Sequence, residues 1–524
     1  MVNETSVRQL TRVLEDGKPF ALIDVRETAE YNLAHIAGST SIPRRLLELR
    51  MQDMVPFAGT RTIVCDDDGR RASLAAQTLA SIGYTDVSVL AGGLNRWVSE
   101  DMTTEWGVNV PSKDFGEKLL LQQHVPEITA DELHERMRRG DKMVILDSRT
   151  PEEHNRACIP GSRSMPGAEL GLRVWDLMED ENTTVVVHCA GRTRSLVGAG
   201  TLQRMGVKNV VALKNGTMGW QLAGLTPEQG SDRLSLPTPS PQAVQRAEKT
   251  AREIATAEGV RFVDVVGAQA LMARAAGENV YLLDVRTREE YVAGHIPGFR
   301  WAPGGQAVQA TDSYVAVTGA AILFACDAST VRSSMTASWF RQMGFGEVFV
   351  LEGGAPSWAA AGHELEPGPS EKQPFGYDAA RSRLTALPPA EVQARLGDAA
   401  SIFVGTSDQF SDGHLPGSRW VPRSWLELRV GEVVTPGKTP VIVTCVDGVQ
   451  SALAGATLRD LGYEDVSLLE GGTSAWRAAG LALETGLAGV TQAPDDVLPV
   501  RRSYAEMLNY LRWEEELGEK YKTG

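Results

Sequence analysis

The sequence predicts an α/β protein of four tandem domains, each a mainly parallel β-sheet flanked by helices. A Gly-rich turn that ends in Trp occurs four times, as LAGGLNRW, LKNGTMGW, LEGGAPSW and LEGGTSAW. Upstream of each turn, an apolar strand-like segment ends at a cysteine, namely Cys65, Cys189, Cys326 or Cys445. Between these features, short β-branched segments alternate with helical ones, which is typical of βα units on a parallel sheet.

The repeating unit is the size of a domain. An acidic-basic turn of the Asp-x-Arg type recurs at Asp24, Asp147 and Asp284, at intervals of 123 and 137 residues. These intervals exceed those of solenoid repeats, so each unit is expected to have its own core. The fourth copy, SIFVGTSDQF at 401–410, has lost the acidic-basic pair.

The repeats also predict domain boundaries. The expected domains are 1–111, 112–228, 260–370 and 371–486. Residues 229–259 begin Pro- and Ser-rich and become a charged helical pattern, so we expect a linker between two pairs of domains. The tail, 487–524, contains an amphipathic helical pattern at 503–521 that is expected to dock on the body, with partner recruitment as the alternative. The apolar residues available for docking are Leu508, Leu511, Trp513 and Leu517.

Composition excludes several classes of function. The net charge of −15 argues against binding to a nucleic-acid backbone. No stretch approaches the roughly 18–20 apolar residues of a membrane span, and the polar N-terminal segment lacks the apolar core of a signal peptide. Five scattered cysteines make no disulfide framework or zinc-ligand pattern. We therefore expect a reduced, cytoplasmic protein without a metal or another cofactor.

The second unit contains the cysteine with the most favourable surroundings. Cys189 ends the strand VVVHC and is followed by a short loop and a helix. The loop residues are Ala190, Gly191, Arg192, Thr193, Arg194 and Ser195. Backbone N–H groups of such a loop and the helix N-terminus can converge on the sulfur. Arg192 and Arg194 add two positive charges, which favour the thiolate and attract an anionic sulfur donor.

The loop CAGRTRS resembles the active-site loop of rhodaneses, the thiosulfate sulfurtransferases. The Asp-x-Arg turn, the HIPG segment and the GGxxxW turn are rhodanese features as well. The match covers nearly the whole chain apart from the linker and the tail. Each piece is weak evidence by itself, but four ordered pieces in four copies make the resemblance strong.

The resemblance implies a two-step sulfur transfer. The Cys189 thiolate would take the outer sulfur of thiosulfate, release sulfite, and pass the sulfur from a persulfide to cyanide or to a small or protein thiol. The loop amides would form a cradle, and Arg192 and Arg194 would bind the anionic end of the donor. Asp147 and Arg149 match the family's Asp-x-Arg turn, for which we favour a structural ion pair. The two arginines of this loop suit a sulfonate-like donor such as thiosulfate. Relatives that use mercaptopyruvate have a Gly/Ser-rich loop instead, so mercaptopyruvate is the second choice of donor.

The other units are expected to differ from the second. The spacing from the cysteine to the second residue of the Gly-rich turn is 27 residues in the second and fourth units and 28 in the first and third. Counting back from the turn puts Asp66 and Asp327 in the nucleophile position, with Cys65 and Cys326 as packing residues at the strand ends. The arginine position then falls on Arg71 and Arg332. Because an aspartate cannot form a persulfide, these two domains are predicted to be inactive.

Three alternatives remain open. CDDDGRR and CDASTVRS also satisfy Cys-x5-Arg, the loop size of dual-specificity phosphatases and arsenate reductases. The aspartates at 66–68 would repel an oxyanion, which leaves only the third unit for such chemistry. In the fourth unit, Cys445 stays in register, but Gln450 replaces the arginine and Asp447 adds negative charge, so only weak or relay activity is conceivable. The degenerate units could also serve as a scaffold that binds partners.

Two further residues near Cys189 are interpreted as structural. Cys158 takes the place of the histidine in the third unit's GHIPG, and we favour a small buried replacement over a resolving thiol. His188 precedes Cys189 and, by strand alternation, is expected to point away from the pocket.

Overall fold

The structure is a computed structural model that describes residues 3–370, 372–437, 439–490, 492–501 and 503–522. Within these ranges the chain forms four five-stranded sheets. Every pairing inside the sheets is parallel. The predicted α/β class with four tandem sheet domains is therefore confirmed. No helix in the ranges described is both long enough and apolar enough to cross a membrane.

The first sheet is built from short buried strands. Its strands are β1 (Asn3–Thr5), β2 (Ala21–Asp24), β3 (Thr40–Ser41), β4 (Thr62–Cys65) and β5 (Val87–Leu90). They lie in the order β1-β5-β4-β2-β3. The helices are α1 (Val7–Asp16), α2 (Thr28–Leu33), α3 (Leu47–Met54), α4 (Arg70–Ser81) and α5 (Gly93–Ser99), with a 3-10 turn at Arg44–Leu46. Helix α1 begins at a capping box of Ser6 and Gln9, which satisfies N–H groups at the first turn.

The second sheet has the same topology. Helix α6 (Val110–Gln122) precedes strands β6 (Glu127–Ile128), β7 (Met143–Asp147), β8 (Arg163–Ser164), β9 (Thr184–His188) and β10 (Val210–Leu213). The order is β6-β10-β9-β7-β8. Its helices are α7 (Ala130–Arg139), α8 (Pro151–Arg156), α9 (Leu170–Arg173), α10 (Thr193–Arg204) and α11 (Gly216–Leu222), with 3-10 turns at Gly167–Glu169 and Val174–Leu177. Strand β9 is buried along its whole length, as expected when helices cover both faces of a parallel sheet.

The third sheet follows a long helix, α12 (Pro241–Ala257). Its strands are β11 (Arg261–Val263), β12 (Val280–Asp284), β13 (Arg300–Trp301), β14 (Ala321–Ala325) and β15 (Glu347–Leu351), in the order β11-β15-β14-β12-β13. Its helices are α13 (Val265–Arg274), α14 (Arg288–Ala293), α15 (Gly304–Gln309), α16 (Val331–Gln342) and α17 (Gly354–Ala360), with a 3-10 turn at Thr311–Ser313. Four buried alanines at four-residue spacing let α12 pack against α9 and α16.

The fourth sheet repeats the arrangement once more. Its strands are β16 (Thr385–Leu387), β17 (Ala400–Phe403), β18 (Arg419–Trp420), β19 (Val441–Thr444) and β20 (Val466–Leu469), in the order β16-β20-β19-β17-β18. Its helices are α18 (Tyr377–Ser382), α19 (Pro389–Arg395), α20 (Ser407–Asp412), α21 (Leu426–Arg429), α22 (Val449–Asp460) and α23 (Gly472–Ala478), with 3-10 turns at Arg423–Trp425 and Val430–Glu432. Helix α24 (Tyr504–Leu517) and a 3-10 turn at Glu519–Tyr521 follow.

The four domains assemble into two compact units in an order that the sequence does not reveal. One unit contains Met1–Val108 and Glu371–Pro499, and the other contains Asn109–Ser370 and Val500–Gly524. The first domain is therefore paired with the fourth, and the second with the third. Residues 229–259 lie inside the second unit, so the prediction that they link two pairs of domains is wrong. The exact domain boundaries predicted from the sequence stay a prediction.

Candidate active site

Cys189 lies at the carboxyl end of the second sheet. Strands β7 and β9 pair so that Asp147 is opposite His188, and Cys189 is the next residue. The loop that follows leads directly into helix α10, whose first residue is Thr193. Ligands of open parallel sheets bind at this edge.

Strand register locates the equivalent residue in the other domains. Asp24 is opposite Cys65, Asp284 is opposite Ala325, and Phe403 is opposite Thr444. The residues that follow the central strands, and so match Cys189, are Asp66, Cys326 and Cys445. The predicted position of Asp66 is confirmed. The prediction for Asp327 is wrong, because the additional residue of the third domain lies in the loop after Cys326 and not in the strand.

The Gly-rich turn of the repeat closes each of these loops. In the second domain, Thr217 donates its backbone N–H to the Cys189 carbonyl at 2.9 Å. Gly216 has a φ of +51°, and a Cβ added there would lie 2.2 Å from the same carbonyl oxygen. Only glycine fits such a close approach in the left-handed region. The repeated turn is thus a packing support for the active-site loop.

The Cys189 thiol is held inside the loop. The side chain is 2% exposed, and its thiol donates to Ser195 Oγ at 3.6 Å. Ser195 Oγ in turn donates to the Arg192 carbonyl at 2.7 Å, which closes the first turn of α10 around the sulfur. In the fourth domain, the N–H groups of Gly448 and Ser451 donate to Cys445 Sγ at 3.2 and 3.4 Å; the amide cradle predicted around Cys189 stays a prediction.

Both loop arginines have carboxylate partners that the sequence analysis did not include. Arg194 donates to the two Glu153 oxygens at 2.6 and 2.8 Å. Arg192 donates to the two Glu117 oxygens at 2.6 and 2.9 Å. Burial raises the pKa of Glu117, and the Arg192 guanidinium opposes that shift. A donor anion bound by these arginines would therefore compete with the two carboxylates.

Asp147 and Arg149 form a buried ion pair. Arg149 donates from Nε and Nη2 to the Asp147 carboxylate at 2.9 and 2.7 Å and also to the Ala157 carbonyl at 2.5 Å. His154 Nδ1 lies 3.0 Å from Asp147 Oδ2. Although burial alone would raise it, the pKa of Asp147 is held far below its usual range by the positive charge that His188 carries at acid pH and by the hydrogen bonds with His154 and Arg149. The pair shapes the turn beside the loop.

His188 and Cys158 lie beside this ion pair. His188 Nε2 is 3.7 Å from Asp147 Oδ2, and burial lowers the pKa of His188 to about 4, so that it is neutral at pH 7. Cys158 pairs with Glu228 through a backbone bridge, as His35 does with Glu105. Cys158 is fully buried, which supports a packing role.

Helix α24 lies against the active-site loop. A Cβ added to Gly191 would lie 3.0 Å from Glu514 Oε2 and 3.6 Å from Tyr510 Cε1. Arg192 Nη1 also donates to Glu515 Oε1 at 3.3 Å. Of the apolar residues expected to dock, Leu511 and Trp513 are buried, whereas Leu508 is 38% exposed. The tail helix is thus part of the surroundings of Cys189.

Comparison with known proteins agrees with this geometry. The family model of the rhodanese-like domain matches residues 6–100, 129–223, 267–361 and 388–479, which is more than half of the chain. The chain belongs to the rhodanese family. The crystal structure of a thiosulfate sulfurtransferase from Pseudomonas aeruginosa is 36% identical, with a TM-score of 0.91, over 100% of this chain and 98% of that one.

Single-domain matches are more distant. A sulfurtransferase of Allochromatium vinosum is 28% identical over 101 residues, which are 19% of this chain and 92% of that protein. The putative sulfur carrier protein YrkF of Bacillus subtilis is 31% identical over 96 residues, or 18% of this chain. The chain spans about half the length of YrkF, with 51% covered.

The first rhodanese domain has a carboxylate where the second has its sulfur. Asp66 accepts hydrogen bonds from the backbone N–H groups of Gly69, Arg71 and Ala72 at 2.5, 2.8 and 3.2 Å. Arg71 is itself paired with both Glu30 oxygens at 2.7 Å. The loop N–H groups converge on this carboxylate in place of a thiol.

The third rhodanese domain has a cysteine at the right register in a loop one residue longer. Cys326 is fully buried and lies 3.0 Å from Ser333 Oγ. Burial and the neighbouring Asp327 raise the pKa of the Cys326 thiol far above its ordinary value. Arg332 donates to Glu290 at 2.6 and 2.8 Å and to Glu169 at 2.9 Å. The thiol is therefore protonated and the arginine is occupied.

The fourth rhodanese domain has replaced the Asp-x-Arg ion pair with aromatic packing. Phe403, Phe410 and Trp420 form a buried cluster at the position of that pair. Burial raises the pKa of Cys445 despite the hydrogen bonds from Ser451. The loop has no arginine, because Gln450 stands at the position of Arg194. Across the residues that the structure describes, no cluster of His, Cys, Asp and Glu is suited to hold a metal ion.

Proposed function

We propose that the chain is a sulfurtransferase that moves sulfane sulfur from thiosulfate to a thiol or to cyanide through a persulfide on Cys189. The observation that carries the proposal is the comparison of the four loops, all of which lie in the described residues. Cys189, Cys326 and Cys445 all follow the central strand of their sheets. Only the second loop combines this cysteine with an arginine, Arg194, at the sixth position. The 36% identity with the Pseudomonas aeruginosa thiosulfate sulfurtransferase supports the choice of donor.

The first half of the cycle loads the cysteine. The Cys189 thiolate attacks the outer sulfur of thiosulfate, a new S–S bond forms, and the original S–S bond breaks as sulfite leaves with the electron pair. Backbone N–H groups of residues 190–195 and the N-terminus of α10 stabilise the negative charge on the sulfur. Arg194 and Arg192 contribute positive potential. The sulfonate of the donor competes with the Glu153 and Glu117 carboxylates for hydrogen bonds from these two arginines.

The second half of the cycle discharges the persulfide. The sulfur of a thiol acceptor, or the carbon of cyanide, attacks the outer sulfur, and Cys189 leaves as a thiolate. Asp147 and Arg149 position the turn beside the loop and take no direct part in the reaction. Cys445 is at most a secondary site, because Gln450 stands where Arg194 stands in the second domain.

A thiosulfate:cyanide assay tests the proposal. The wild-type chain is expected to form thiocyanate, and Cys189→Ser is expected to abolish the activity. The matched control is Cys445→Ser, which changes the equivalent position of the fourth domain and should leave most of the activity. An inert wild type, or a Cys189→Ser variant with full activity, would sink the proposal.

A second candidate function is oxyanion chemistry at Cys326, as in phosphatases with a Cys-x5-Arg loop. It is favoured by the strand register, in which Cys326 is the equivalent of Cys189. It is opposed by the buried protonated thiol and by the carboxylate partners of Arg332. Phosphatase activity that Cys326→Ser removes would support this function over the first.

A further inference from the structure

A buried polar cluster joins α6, α24 and the active-site loop. Its members are Lys113 from α6, Tyr510 and Glu514 from α24, and the loop residue Gly191. The Tyr510 hydroxyl donates to Glu514 Oε1 at 2.7 Å. Lys113 Nζ lies 5.1 Å from the centre of the Tyr510 ring and 4.8 Å from that of Trp513. Gly191 follows Cys189 by two residues.

One carboxylate oxygen of Glu514 is buried without a hydrogen-bond partner among the described residues. The residue is 2% exposed, and its Oε2 has no hydrogen-bond partner among the described residues. The same oxygen is the atom closest to a Cβ placed on Gly191, at 3.0 Å. A buried oxygen left without a partner costs on the order of 1–3 kcal/mol, so its retention calls for an explanation.

Charged groups on three elements face this carboxylate. Burial raises the pKa of Glu514, while Lys113 and the Tyr510 hydroxyl lower it. Glu117 on α6 and Arg192 in the loop act on it with opposite signs. Burial lowers the pKa of Lys113 to about 8, and Arg501 and Asp312 face Lys113.

Tyr510 connects this cluster to the reactive sulfur. The Tyr510 ring lies against the loop, with Cε1 3.6 Å from the position of a Cβ on Gly191; burial, Glu514 and negative charge on Cys189 all raise the pKa of its hydroxyl. The hydroxyl stays protonated and holds Glu514 Oε1, which leaves Oε2 free beside Gly191. Glu514 Oε2 therefore lies unpaired beside Gly191, in the loop that begins at Cys189.

We propose that Glu514, positioned by Tyr510, takes the proton of a thiol acceptor as the acceptor attacks the persulfide on Cys189. This inference rests on the sulfurtransferase function proposed above. The acceptor sulfur bonds to the outer persulfide sulfur while its proton moves to Glu514 Oε2. The bond between the outer sulfur and Cys189 breaks, and its electron pair stays on Cys189 as a thiolate. Starting from the persulfide anion that thiosulfate leaves on Cys189, the products are the persulfide anion of the acceptor, a Cys189 thiolate and a neutral Glu514, so atoms and charge balance.

A single-turnover experiment separates proton transfer from a structural role. The full chain is loaded with thiosulfate, freed of excess donor, and mixed with either an aliphatic thiol or an acidic aryl thiol. General-base catalysis typically contributes at least about 100-fold, so Glu514→Gln should slow discharge by the aliphatic thiol by roughly that factor. The aryl thiol is already a thiolate at pH 7, and its rate should change by less than about threefold. Glu516→Gln, on the exposed side of the same helix, is the matched control and should change neither rate.

The pH profile gives a second, independent measurement. For the aliphatic thiol, the wild-type discharge rate should fall as the pH falls through the pKa of Glu514, and Glu514→Gln should lack this decline. Because the Tyr510 hydroxyl lowers the pKa of Glu514, Tyr510→Phe should move the decline to higher pH.

The outcomes distinguish the two proposals. If Glu514→Gln slows both thiols equally, or slows neither, the proton-transfer role is wrong. An unmoved pH decline in Tyr510→Phe would likewise contradict it. If the wild type never acquires sulfur on Cys189 from thiosulfate, the proposed function itself fails, whatever the variants do.

Discussion

The support that the Gly-rich turn gives to the Cys189 loop can be tested by adding one methyl group. In Gly216→Ala, the new Cβ would start 2.2 Å from the Cys189 carbonyl oxygen, a contact that must open to at least 3.0 Å. The left-handed backbone at this position adds about 1–2 kcal/mol of strain for a residue other than glycine. A misplacement of about 1 Å in a catalytic group can cost roughly 100-fold in rate. We therefore expect kcat/KM in the thiosulfate:cyanide assay to fall by about 100-fold.

The third domain offers a control with nearly the same geometry. Gly354 has a φ of +54°, and a Cβ there would lie 2.1 Å from the Cys326 carbonyl oxygen. Gly354→Ala should therefore lower the thermal stability about as much as Gly216→Ala does. Because Gly354 supports the loop of Cys326 and not that of Cys189, the activity should stay within about twofold of wild type, a change in activation free energy well below the 1.4 kcal/mol of a tenfold effect. Equal loss of activity in both variants, or full activity in Gly216→Ala, would refute the assignment of the reaction to the second loop.

Three further predictions follow from single contacts. Burial lowers the pKa of His154, but its hydrogen bonds to Asp147 and Cys158 outweigh burial and raise the pKa to about 9. The stability that the imidazolium contributes is present below its ordinary pKa of about 6.5 and is lost as the pH rises through 9, and NMR titration of the ring that shows a pKa at or below 6.5 would contradict this. Glu117→Gln removes the bidentate partner of the buried Arg192 and leaves it with Glu515 at 3.3 Å, which should cost about 1.5–3 kcal/mol and speed amide exchange in α6, the helix of Glu117; unchanged exchange in α6 would show that the pair does not stabilise that helix. Cys326→Ser should keep at least about half of the thiosulfate:cyanide activity, because its thiol is buried and protonated, and a tenfold loss would reopen a role for the third domain.

The repeat predicted the fold because each copy has the local patterns of the same βα units. Four strands that end at the same point of the motif must lie on equivalent sheets, and the Gly-rich turns mark where each loop is closed. The partnership of the domains could not be predicted. Reciprocal ion pairs between Arg44 and Glu427 and between Arg423 and Glu48 join the first and fourth domains, and such contacts between distant segments have no local pattern.

The site was predicted less completely than the fold. Counting residues from the Gly-rich turn finds an insertion but cannot say where it lies, so Asp66 was placed correctly and Asp327 was not. Glu117 could not be recognised as the partner of Arg192, because the two are 75 residues apart. Glu153 could have been found, since the motif repeats a glutamate at Glu30 and Glu290 and each pairs with its own loop arginine.

Each of the other three loops lacks a different feature of the Cys189 loop. In the first loop Asp66 replaces the cysteine, in the third burial raises the pKa of the Cys326 thiol, and in the fourth Gln450 replaces the arginine. The second loop alone, among four that the structure describes in full, combines the cysteine, the short loop and Arg194. Helix α24 adds a buried carboxylate at its edge.

The most direct test of this account is mass spectrometry of the protein after treatment with thiosulfate. Peptide mapping under non-reducing conditions should find a mass increase of one sulfur atom on Cys189 and no increase on Cys65, Cys158 or Cys326. Sulfur on Cys326 in place of Cys189, or no added sulfur on any cysteine, would contradict the central claim.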